Sequence, residues 1–228
     1  MRATKDSINW DKIDVVLLDM DGTLLDRHYE DFFWDNIVPK GYAKKHSMTV
    51  QEAKSQLYEL YKKEDGKMNW SDINFWEKEL NMKLWDMRYQ IRHLVRLHPH
   101  TIRFLRFLKQ HRKKIYIVTA SQEKDIKFKM KHSKIGKYFD GIYSQFNIGK
   151  TKYEKAFWKR LHNAIKYNRN TTLFADDREG IVKAAKSSGI KWVLLKSKSS
   201  SKKHPRIYNG LLYVHHFDDV IPKRKGVA

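Results

Sequence analysis

The stretch VVLLDMDGTLLD, residues Val15–Asp26, places two carboxylates directly after an apolar run. Four consecutive apolar residues are typical of a strand that is buried on both faces. Asp19 follows this run, Asp21 comes two residues later, and Gly22 allows a sharp turn. In open α/β sheets, ligands bind at the carboxyl ends of the strands. The stretch therefore predicts a site at the edge of the core, although an Asp-x-Asp pair can also simply cap a turn.

Further apolar runs follow the first one, and amphipathic segments separate them. Strands that alternate with helices predict an α/β fold, in which a parallel sheet is covered by helices on both faces. Residues 126–135 alternate like an exposed strand but also fit one face of a helix, and the topology favours the helix. The later predicted strands are Ile115–Val118, Gly141–Tyr143, Thr172–Ala175 and Trp192–Leu195, and the predicted helices are 101–114, 123–134, 153–166 and 179–188.

Residues 27–97 contain no strand signal but several helix starts. The sequence TVQE at Thr49–Glu52 has the form of a helix capping box, and Pro39 marks a break. We therefore predict a core made of residues 1–26 and 98–228, interrupted by an all-helical insertion.

The chain has 228 residues, 41% of them hydrophobic, and no cysteine. This length suffices for one good-sized domain with an insertion, and the lack of thiols excludes disulfides, thiolate zinc sites and cysteine nucleophiles. No segment resembles a signal peptide or reaches the ~18 apolar residues that a membrane span needs. We therefore expect a soluble, cytoplasmic protein with no membrane partner.

The net charge of +21 is concentrated in the second part of the chain. Residues 1–100 carry 16 Lys or Arg against 17 Asp or Glu, whereas residues 101–228 carry 31 against 9. A field of this sign favours anionic ligands, from small phosphates to nucleic acid, although a solvated basic surface also explains it. The segment KSKSSSKKHPR, Lys196–Arg206, is interpreted as an exposed basic loop.

Two more acids, Asp176 and Asp177, follow the predicted strand TLFA. Carboxylates gathered from two strand ends repel one another unless a cation joins them, and hard oxygen ligands of this kind suit Mg²⁺. The pattern therefore predicts a Mg²⁺ site. A rival acidic pair, Asp218 and Asp219, is better explained as the start of a short terminal helix.

A threonine and two lysines complete the polar residues expected at this sheet edge. Thr119 ends the second strand, where its hydroxyl can bind a phosphoryl oxygen or cap the next helix. Lys150 and Lys152 lie just before a helix, and a phosphoryl group in transfer needs a fixed positive charge. In a chain this basic, neither lysine is decisive when taken alone.

Four segments, taken in order, resemble the motifs of the haloacid dehalogenase-like (HAD) hydrolase superfamily, and the resemblance spans nearly the whole chain. It implies a Rossmann-like doubly wound parallel sheet with a helical cap, and a Mg²⁺-dependent phosphoryl-transfer site at the strand ends. The four segments are DMDGT (19–23), IVTAS (117–121), GKTKYE (149–154) and FADDREGIVKAAKSSGI (174–190).

The resemblance also implies a role for each motif residue. Asp19 would be the nucleophile that forms an aspartyl-phosphate, and Asp21 would protonate the leaving alcohol and later activate water. Thr119 would hold the phosphoryl oxygens. The metal would be bound by Asp19, Asp177 and the backbone carbonyl of Asp21. The supporting residues would be Asp176, Gly22, Thr23 and Lys150.

Two positions depart from the family pattern. The second motif often has Asn after its Thr or Ser, whereas this chain has Ala120, so one phosphate contact would be missing or supplied by Ser121. The third motif usually reads Lys-Pro, and neither lysine here precedes proline. Counting back from the following helix favours Lys152 over Lys150 as the charge-neutralising residue.

The insertion carries aromatic side chains that could stack a nucleobase, and we expect Phe33, Trp34 and Trp70 to be exposed for this purpose. The alternative is that these side chains fill the core of a helical module. The stretches EDFFWDNIVP (30–39) and NWSDINFWEKEL (69–80) look like the bacterial GMP/IMP nucleotidase branch of the superfamily. This resemblance implies a purine nucleoside monophosphate as substrate.

Other functions stay open. The same site could serve a sugar phosphatase or phosphomutase. A basic nucleic-acid-binding protein with a residual or polynucleotide-end phosphatase site is not favoured, because no binding motif is recognisable and the basic residues are spread over many helices. The pairs His98–His100 and His215–His216 lack a third partner at metal-ligand spacing. His98 and His100 fit a hinge between core and insertion better.

Overall fold

The computed structural model describes residues 1–222 and contains one parallel sheet of six strands. The spatial order is β3-β2-β1-β4-β5-β6, so the chain changes sides of β1 between β3 and β4. This arrangement is that of a doubly wound α/β sheet, as predicted. The strands are β1 (Val15–Leu18), β2 (Lys114–Thr119), β3 (Gly141–Ser144), β4 (Thr172–Asp176), β5 (Trp192–Lys196) and β6 (Tyr213–Val214).

Helices occupy most connections and make up most of the insertion. None of those within residues 1–222 is both long and apolar enough to cross a bilayer. The insertion contains α1 (His28–Phe32), α2 (Val38–His46), α3 (Val50–Glu64), α4 (Ile73–Leu80) and α5 (Leu84–Gln90). The rest of the chain contains α6 (Thr101–Gln110), α7 (Glu123–Ser133), α8 (Gln145–Ile148), α9 (Lys155–Ile165) and α10 (Glu179–Ser187).

Strand β1 lies in the centre of the sheet. Its last residue, Leu18, pairs with Ile117 of β2 on one side and with Ala175 of β4 on the other. The next residue, Asp19, donates its backbone N–H to the Ala175 carbonyl at 2.9 Å. This register brings the carboxyl ends of three strands to one edge of the sheet, and Asp19 lies in the middle of that edge.

Both faces of the sheet are buried. Successive side chains of a strand point to opposite faces, and in β1 each face meets an apolar core. Val16 and Leu18 belong to the apolar core that contains Phe104 of α6. Leu17 belongs to a second core with Phe157 of α9. Burial on both sides explains why the strands appear in the sequence as unbroken apolar runs.

The insertion begins with a nearly continuous helical stretch in which a π-type turn, Phe33–Ile37, separates α1 from α2. Pro39 is the second residue of α2 and directly follows the π-type turn, which accommodates a residue without a backbone N–H inside the helical stretch. The expected break at Pro39 is therefore a change of helix geometry and not an end of the helix. Thr49 caps α3 through the predicted capping box with Glu52.

Two extended segments lie side by side where the insertion joins the core. Leu25 and Leu97 form an antiparallel bridge, and the N–H of Asp26 donates to the Arg96 carbonyl at 2.8 Å. The chain thus leaves and re-enters the core at one place. The division of the chain after residue 26 and before residue 98 stays a prediction.

One helix end and one short strand differ from expectation. The helix predicted over residues 101–114 ends at Gln110, because the chain turns at Arg112, whose φ is 54°, and Lys114 already begins β2. The two-residue strand β6 was not predicted, since two residues are too few for a periodic pattern. The pair Asp218 and Asp219 lies in a short 3₁₀ turn near the end of the described chain, as the helix prediction indicated.

The segment Lys196–Arg206 is not simply an exposed loop, which corrects the interpretation from composition. Lys196 and Ser200 are each 1% exposed. The carbonyl of Ser199 accepts the backbone N–H of Arg27 at 2.9 Å. The first part of the loop is therefore packed onto the turn that follows the DMDGT motif, because the polar backbone groups of both segments pair there.

Candidate active site

Three carboxylates converge at the carboxyl end of the sheet. Asp19 follows β1, Asp176 ends β4, and Asp177 comes next. One oxygen of each side chain lies within 4.8 Å of the others. Asp19 and Asp176 are also almost completely buried. Like charges buried at such distances are unfavourable unless cations lie among them.

Lys152 provides one of these positive charges. Its ammonium group donates to Asp19 Oδ1 at 2.6 Å, to Asp176 Oδ2 at 2.8 Å and to the Val118 carbonyl at 3.2 Å. Burial alone would lower the pKa of Lys152, but the carboxylates of Asp176 and Asp19 raise the pKa above its ordinary value. The side chain therefore carries a fixed positive charge against Asp19.

The remaining polar atoms of the turn fit a hard cation. Asp19 Oδ2 and Thr23 Oγ1 are buried, and neither has a hydrogen-bond partner within residues 1–222. Gly22 has a φ of 87°, and a Cβ at this position would lie 2.5 Å from Asp177 Oδ2. The backbone therefore passes close to the Asp177 carboxylate, and only glycine allows it. Carboxylate oxygens this close, one of them without a partner, form the kind of donor set that suits Mg²⁺.

Asp21 lies on the same turn but contacts different partners. Its Oδ2 accepts the Lys129 ammonium at 2.7 Å and the Ser121 hydroxyl at 3.1 Å. Burial raises the pKa of Asp21 to about 6, although Lys129 acts in the opposite direction. A carboxyl group with such a pKa can both give and take a proton near neutral pH.

A second group of buried charges surrounds Lys129. Its ammonium nitrogen lies 2.7 Å from an oxygen of each of Asp21, Glu30 and Asp125. Arg88 is completely buried; it binds Glu30 through two N–H groups, at 2.7 and 3.1 Å, and Asp125 at 2.7 Å. Apart from Asp21, these residues were not predicted. The signal in the sequence is the i,i+4 spacing of Asp125 and Lys129 on α7, which exposed helices also show.

The other predicted polar residues have distinct positions. Thr119 is buried, and its hydroxyl accepts the Ser121 N–H at 3.1 Å, which leaves the hydroxyl proton free to be donated. The Ser121 hydroxyl, considered as a replacement phosphate contact, donates to Asp21 instead. Lys150 forms a surface ion pair with Glu154 at 3.0 Å. The structure thus brings Lys152, and not Lys150, to Asp19.

Arg27 approaches the site from the start of the insertion. Its Nη1 lies 3.5 Å from Asp177 Oδ2, and its Nε donates to Asp31 at 3.2 Å. The guanidinium group therefore offsets part of the charge of Asp177. Arg27 was not predicted, and its position four residues after the DMDGT motif is the signal that could have found it.

Phe33 and Trp34 lie inside the insertion. Phe33 is completely buried, with its ring 4.9 Å from the guanidinium carbon of Arg88, so the expectation that Phe33 is exposed is wrong. The reason is that the helical module needs this ring to fill its interior. Trp34 is half-buried, packs edge-on against Trp76 and donates its indole N–H to Glu30 at 3.2 Å.

Trp70 is the aromatic residue of this set that reaches the sheet edge. It is half-buried, and the guanidinium carbon of Arg178 lies 5.9 Å from its ring. Arg178 directly follows Asp177. Nearby, the Gln145 amide donates to the Ser71 hydroxyl at 2.6 Å, so the segment around Trp70 is in contact with the core.

The contacts of His98 indicate a role in the fold and not in metal binding. It is buried, and its Nε2 lies 3.0 Å from the Ser199 carbonyl. Burial, with a further contribution from Lys196, lowers the pKa of His98 to about 4. The groups of possible metal ligands found among residues 1–222 consist of carboxylates without histidine. His98 therefore connects the segment where the chain returns to the core with the loop that contains Ser199.

The fold and the arrangement of acids around a lysine define the class of this protein. The family model for haloacid dehalogenase-like hydrolases matches residues 13–211. The chain belongs to this family, as its four motifs predicted. Its sequence is also similar to that of the GMP/IMP nucleotidase YrfG of Escherichia coli. The two are 31% identical over 188 residues, which cover 82% of this chain and 85% of the relative.

Solved structures agree with this fold. A HAD phosphatase from Thermococcus onnurineus superposes with a TM-score of 0.74 at 21% identity, over 92% of this chain and 94% of the other. A putative β-phosphoglucomutase from Thermotoga maritima superposes with a TM-score of 0.59 at 19% identity, over 80% and 85% of the two chains. At these identities the similarity establishes the doubly wound sheet with its helical insertion.

Proposed function

We propose that this HAD hydrolase is a Mg²⁺-dependent phosphomonoesterase that acts on purine 5′-nucleotides, with GMP and IMP as the preferred substrates. One observation carries the proposal. Asp19 is held through Oδ1 by a buried lysine, while Oδ2 has no partner within the described chain. A carboxylate that is fixed and still incompletely bonded is suited to attack phosphorus.

In the first step, a carboxylate oxygen of Asp19 attacks the phosphorus of the substrate. The bond from phosphorus to the 5′-oxygen breaks, and Asp21 gives its proton to that oxygen, so that the nucleoside leaves as an alcohol. Lys152 and the Thr119 hydroxyl offset the charge on the phosphoryl oxygens. When bound by Asp19, Asp177 and the backbone carbonyl of Asp21, with Asp176 in support, Mg²⁺ would offset further negative charge.

In the second step, Asp21 takes a proton from water, and the resulting hydroxide attacks the phosphorus of the aspartyl-phosphate. The bond to Asp19 breaks, and inorganic phosphate leaves. Asp19 is then free again, and Asp21 is protonated and ready for the next substrate. The pKa of about 6 for Asp21 supports both roles.

The similarity to YrfG supports a nucleotide as the substrate, since that relative is described as a GMP/IMP nucleotidase. Trp70 supports a large planar leaving group, because its ring lies beside Arg178, the residue that follows Asp177. Stacking of a base on an aromatic ring is worth about 1–3 kcal/mol. A purine has a larger stacking face than a pyrimidine, and a hexose has none.

Phosphate release from a panel of nucleotides and sugar phosphates, with Mg²⁺ or with EDTA, tests the proposal. We expect GMP and IMP to have the highest kcat/KM, by roughly tenfold over pyrimidine nucleotides and hexose phosphates. EDTA and Asp19→Asn should each abolish turnover. Preference for a sugar phosphate over every nucleotide would overturn the substrate assignment alone. Turnover that persists in Asp19→Asn would overturn the aspartyl-phosphate mechanism.

Trp70→Leu separates stacking from a structural role. A stacking role raises KM for GMP and leaves an aryl phosphate such as p-nitrophenyl phosphate nearly unchanged. Trp192→Leu is the matched control, because Trp192 begins β5 at the opposite end of that strand from the site. Equal losses for both substrates in Trp70→Leu would show that Trp70 acts through the fold.

A further inference from the structure

The group of charges around Lys129 connects the turn that contains the DMDGT motif, called the motif turn below, to the insertion. We name Asp21, Glu30, Arg88, Asp125 and Lys129 the bridging cluster. Asp21 comes from the turn after β1, Glu30 and Arg88 lie in the insertion on α1 and α5, and Asp125 and Lys129 lie on α7. The cluster therefore joins three separate parts of the chain around the ammonium group of Lys129.

We propose that Lys129 is a positioning residue that holds the Asp21 carboxyl group in place for proton transfer, and that Arg88 of the insertion holds Lys129 and its partners in register. This inference rests on the proposed phosphatase function. It adds to that function a set of residues that reach Asp21 from the insertion.

Three carboxylates and nearly complete burial hold Lys129 in place. The Lys129 ammonium nitrogen lies 2.7 Å from an oxygen of each of three carboxylates, and it donates a hydrogen bond to Asp21 Oδ2. Its side chain is 1% exposed, so water does not compete for these bonds. A donor fixed in this way fixes the oxygen that it binds.

The two carboxylate oxygens of Asp21 differ in their contacts. Oδ2 accepts both Lys129 at 2.7 Å and the Ser121 hydroxyl at 3.1 Å. Within residues 1–222, no hydrogen bond is made to Oδ1. Oδ1 is therefore the oxygen that is available to exchange a proton with a substrate or with water, and its position follows from the two bonds at Oδ2.

Arg88 acts at one remove from Asp21. It makes no bond to Asp21, but it binds Glu30 and Asp125, two of the three partners of Lys129. The rings of Tyr29 and Phe33 each lie 4.9 Å from its guanidinium carbon, and they fix it inside the insertion. A displacement of the insertion would move Arg88 and with it the carboxylates that orient Lys129.

A purely structural role would not require this arrangement. Buried ion pairs add little net stability compared with apolar residues of similar size. The cluster also contains three carboxylates and two cations, so its net charge is −1. The carboxylate that belongs to the motif turn is Asp21. The geometry is therefore better explained by the need to place Asp21 than by stability.

Leaving-group dependence provides the test. An alkyl phosphate such as GMP needs a proton from Asp21 when its ester bond breaks, whereas p-nitrophenyl phosphate has a good leaving group that needs none. The ratio of kcat/KM for GMP to kcat/KM for p-nitrophenyl phosphate therefore reports the placement of the acid. For Lys129→Met we expect this ratio to fall roughly tenfold to a hundredfold. Lys127→Met is the matched control, because Lys127 is exposed on the same helix, and its ratio should not change.

Two further variants keep the test decisive if Lys129→Met does not fold. Ser121→Ala removes the weaker bond to Asp21 Oδ2 and should lower the ratio several-fold. Arg88→Lys keeps the charge but loses the two-pronged bond to Glu30, and should lower the ratio in the same direction. A ratio that stays at the wild-type value in the folded variants, including equal losses for both substrates, would overturn the inference.

The outcome is distinguishable from a failure of the proposed function. If GMP is not a substrate, any alkyl phosphate that the wild type hydrolyses can replace it in the ratio. If the wild type hydrolyses no phosphate monoester at all, the phosphatase assignment fails, and the role of Lys129 fails with it.

Discussion

Two groups of buried carboxylates lie around one turn, each with a lysine, and they differ in how completely the oxygens are paired. In the nucleophile cluster (Asp19, Lys152, Asp176 and Asp177), Lys152 joins two carboxylates, and Asp19 Oδ2 has no partner among residues 1–222. In the bridging cluster, Lys129 donates to Asp21 and forms ion pairs with Glu30 and Asp125, and Arg88 donates hydrogen bonds to both Glu30 and Asp125.

The difference separates two uses of the same chemistry. A buried oxygen without a partner costs about 1–3 kcal/mol, so its persistence in the nucleophile cluster points to a ligand or a reaction that uses it. A buried lysine that is surrounded by three carboxylates is shielded from a substrate, but it holds its partners in place. Asp19 and Asp21 are two residues apart, and each belongs to a different one of these groups.

The largest expected effect concerns the stability of the bridging cluster. Lys129→Met leaves three carboxylates, one buried and two mostly buried, with Arg88 as the remaining cation, and should lower the free energy of unfolding by about 3–5 kcal/mol. Lys127→Met should change it by less than about 0.5 kcal/mol. Urea unfolding of the two variants measures both values. Equal small effects would mean that Lys129 does not hold buried charges together.

The nucleophile cluster should respond most strongly in turnover. Lys152→Ala removes the fixed charge beside Asp19, and kcat should fall by about 10²–10³-fold. Lys150→Ala removes a surface ion pair, which is worth at most about 1 kcal/mol, and should leave kcat close to that of the wild type. Steady-state kinetics on the best substrate compares the two variants. The opposite ranking would assign the third-motif role to Lys150.

Mg²⁺ should distinguish the two clusters by its effect on melting temperature. At one hundred times Kd, a bound ion stabilises the folded state by about 2.7 kcal/mol, which corresponds to a rise in Tm of roughly 5–10 °C. We expect Asp177→Asn to remove this rise and Glu30→Gln to retain it. Scanning calorimetry with Mg²⁺ and with EDTA gives the shifts. A rise that is lost in Glu30→Gln and kept in Asp177→Asn would place the ion in the other cluster.

Acid pH should reveal the contribution of His98, which belongs to neither cluster. The pKa of His98 is about 4 in the folded protein, against an ordinary value of 6.5. Between these values the unfolded chain binds a proton that the folded chain does not, so stability is full above pH 6.5 and falls as the pH decreases towards 4. This group should account for about 2 kcal/mol lost between pH 7 and pH 5.

Urea unfolding of wild type and His98→Gln at the two pH values isolates this contribution. The wild type should lose about 2 kcal/mol more than the variant. His46→Gln is the control, because His46 is exposed on α2, and it should behave like the wild type. A variant that loses as much stability as the wild type would assign the acid sensitivity to the carboxylates.

Residues that are close in the sequence or adjacent to a strand end were the ones that could be predicted. The apolar runs gave the five longer strands within a residue or so at each end, and the carboxylates at their ends gave Asp19 and Asp177. Lys152 could be chosen over Lys150 from its spacing to α9. In each case a local pattern carries the information.

Residues brought together from several elements could not be predicted in this way. Glu30, Arg88 and Lys129 are charged residues on three helices, and without the packing of those helices each resembles an ordinary surface residue. Phe33 was predicted to be exposed but is buried, because the same local pattern fits an aromatic ring that faces the site and one that faces the interior of the insertion. Burial of Lys196 depends on a loop contact and likewise has no periodic signal.

The central position of β1 has a consequence for how the chain is made. Val15–Leu18 is synthesised first, yet its two partners begin at Lys114 and Thr172. At about 5–20 residues per second, roughly eight to thirty seconds pass between the synthesis of β1 and that of β4. The insertion, which consists of local helices, can form during this delay, while the apolar β1 waits. A nascent chain arrested before Thr172 should therefore expose β1 to proteases and chaperones, and longer arrested chains should protect it.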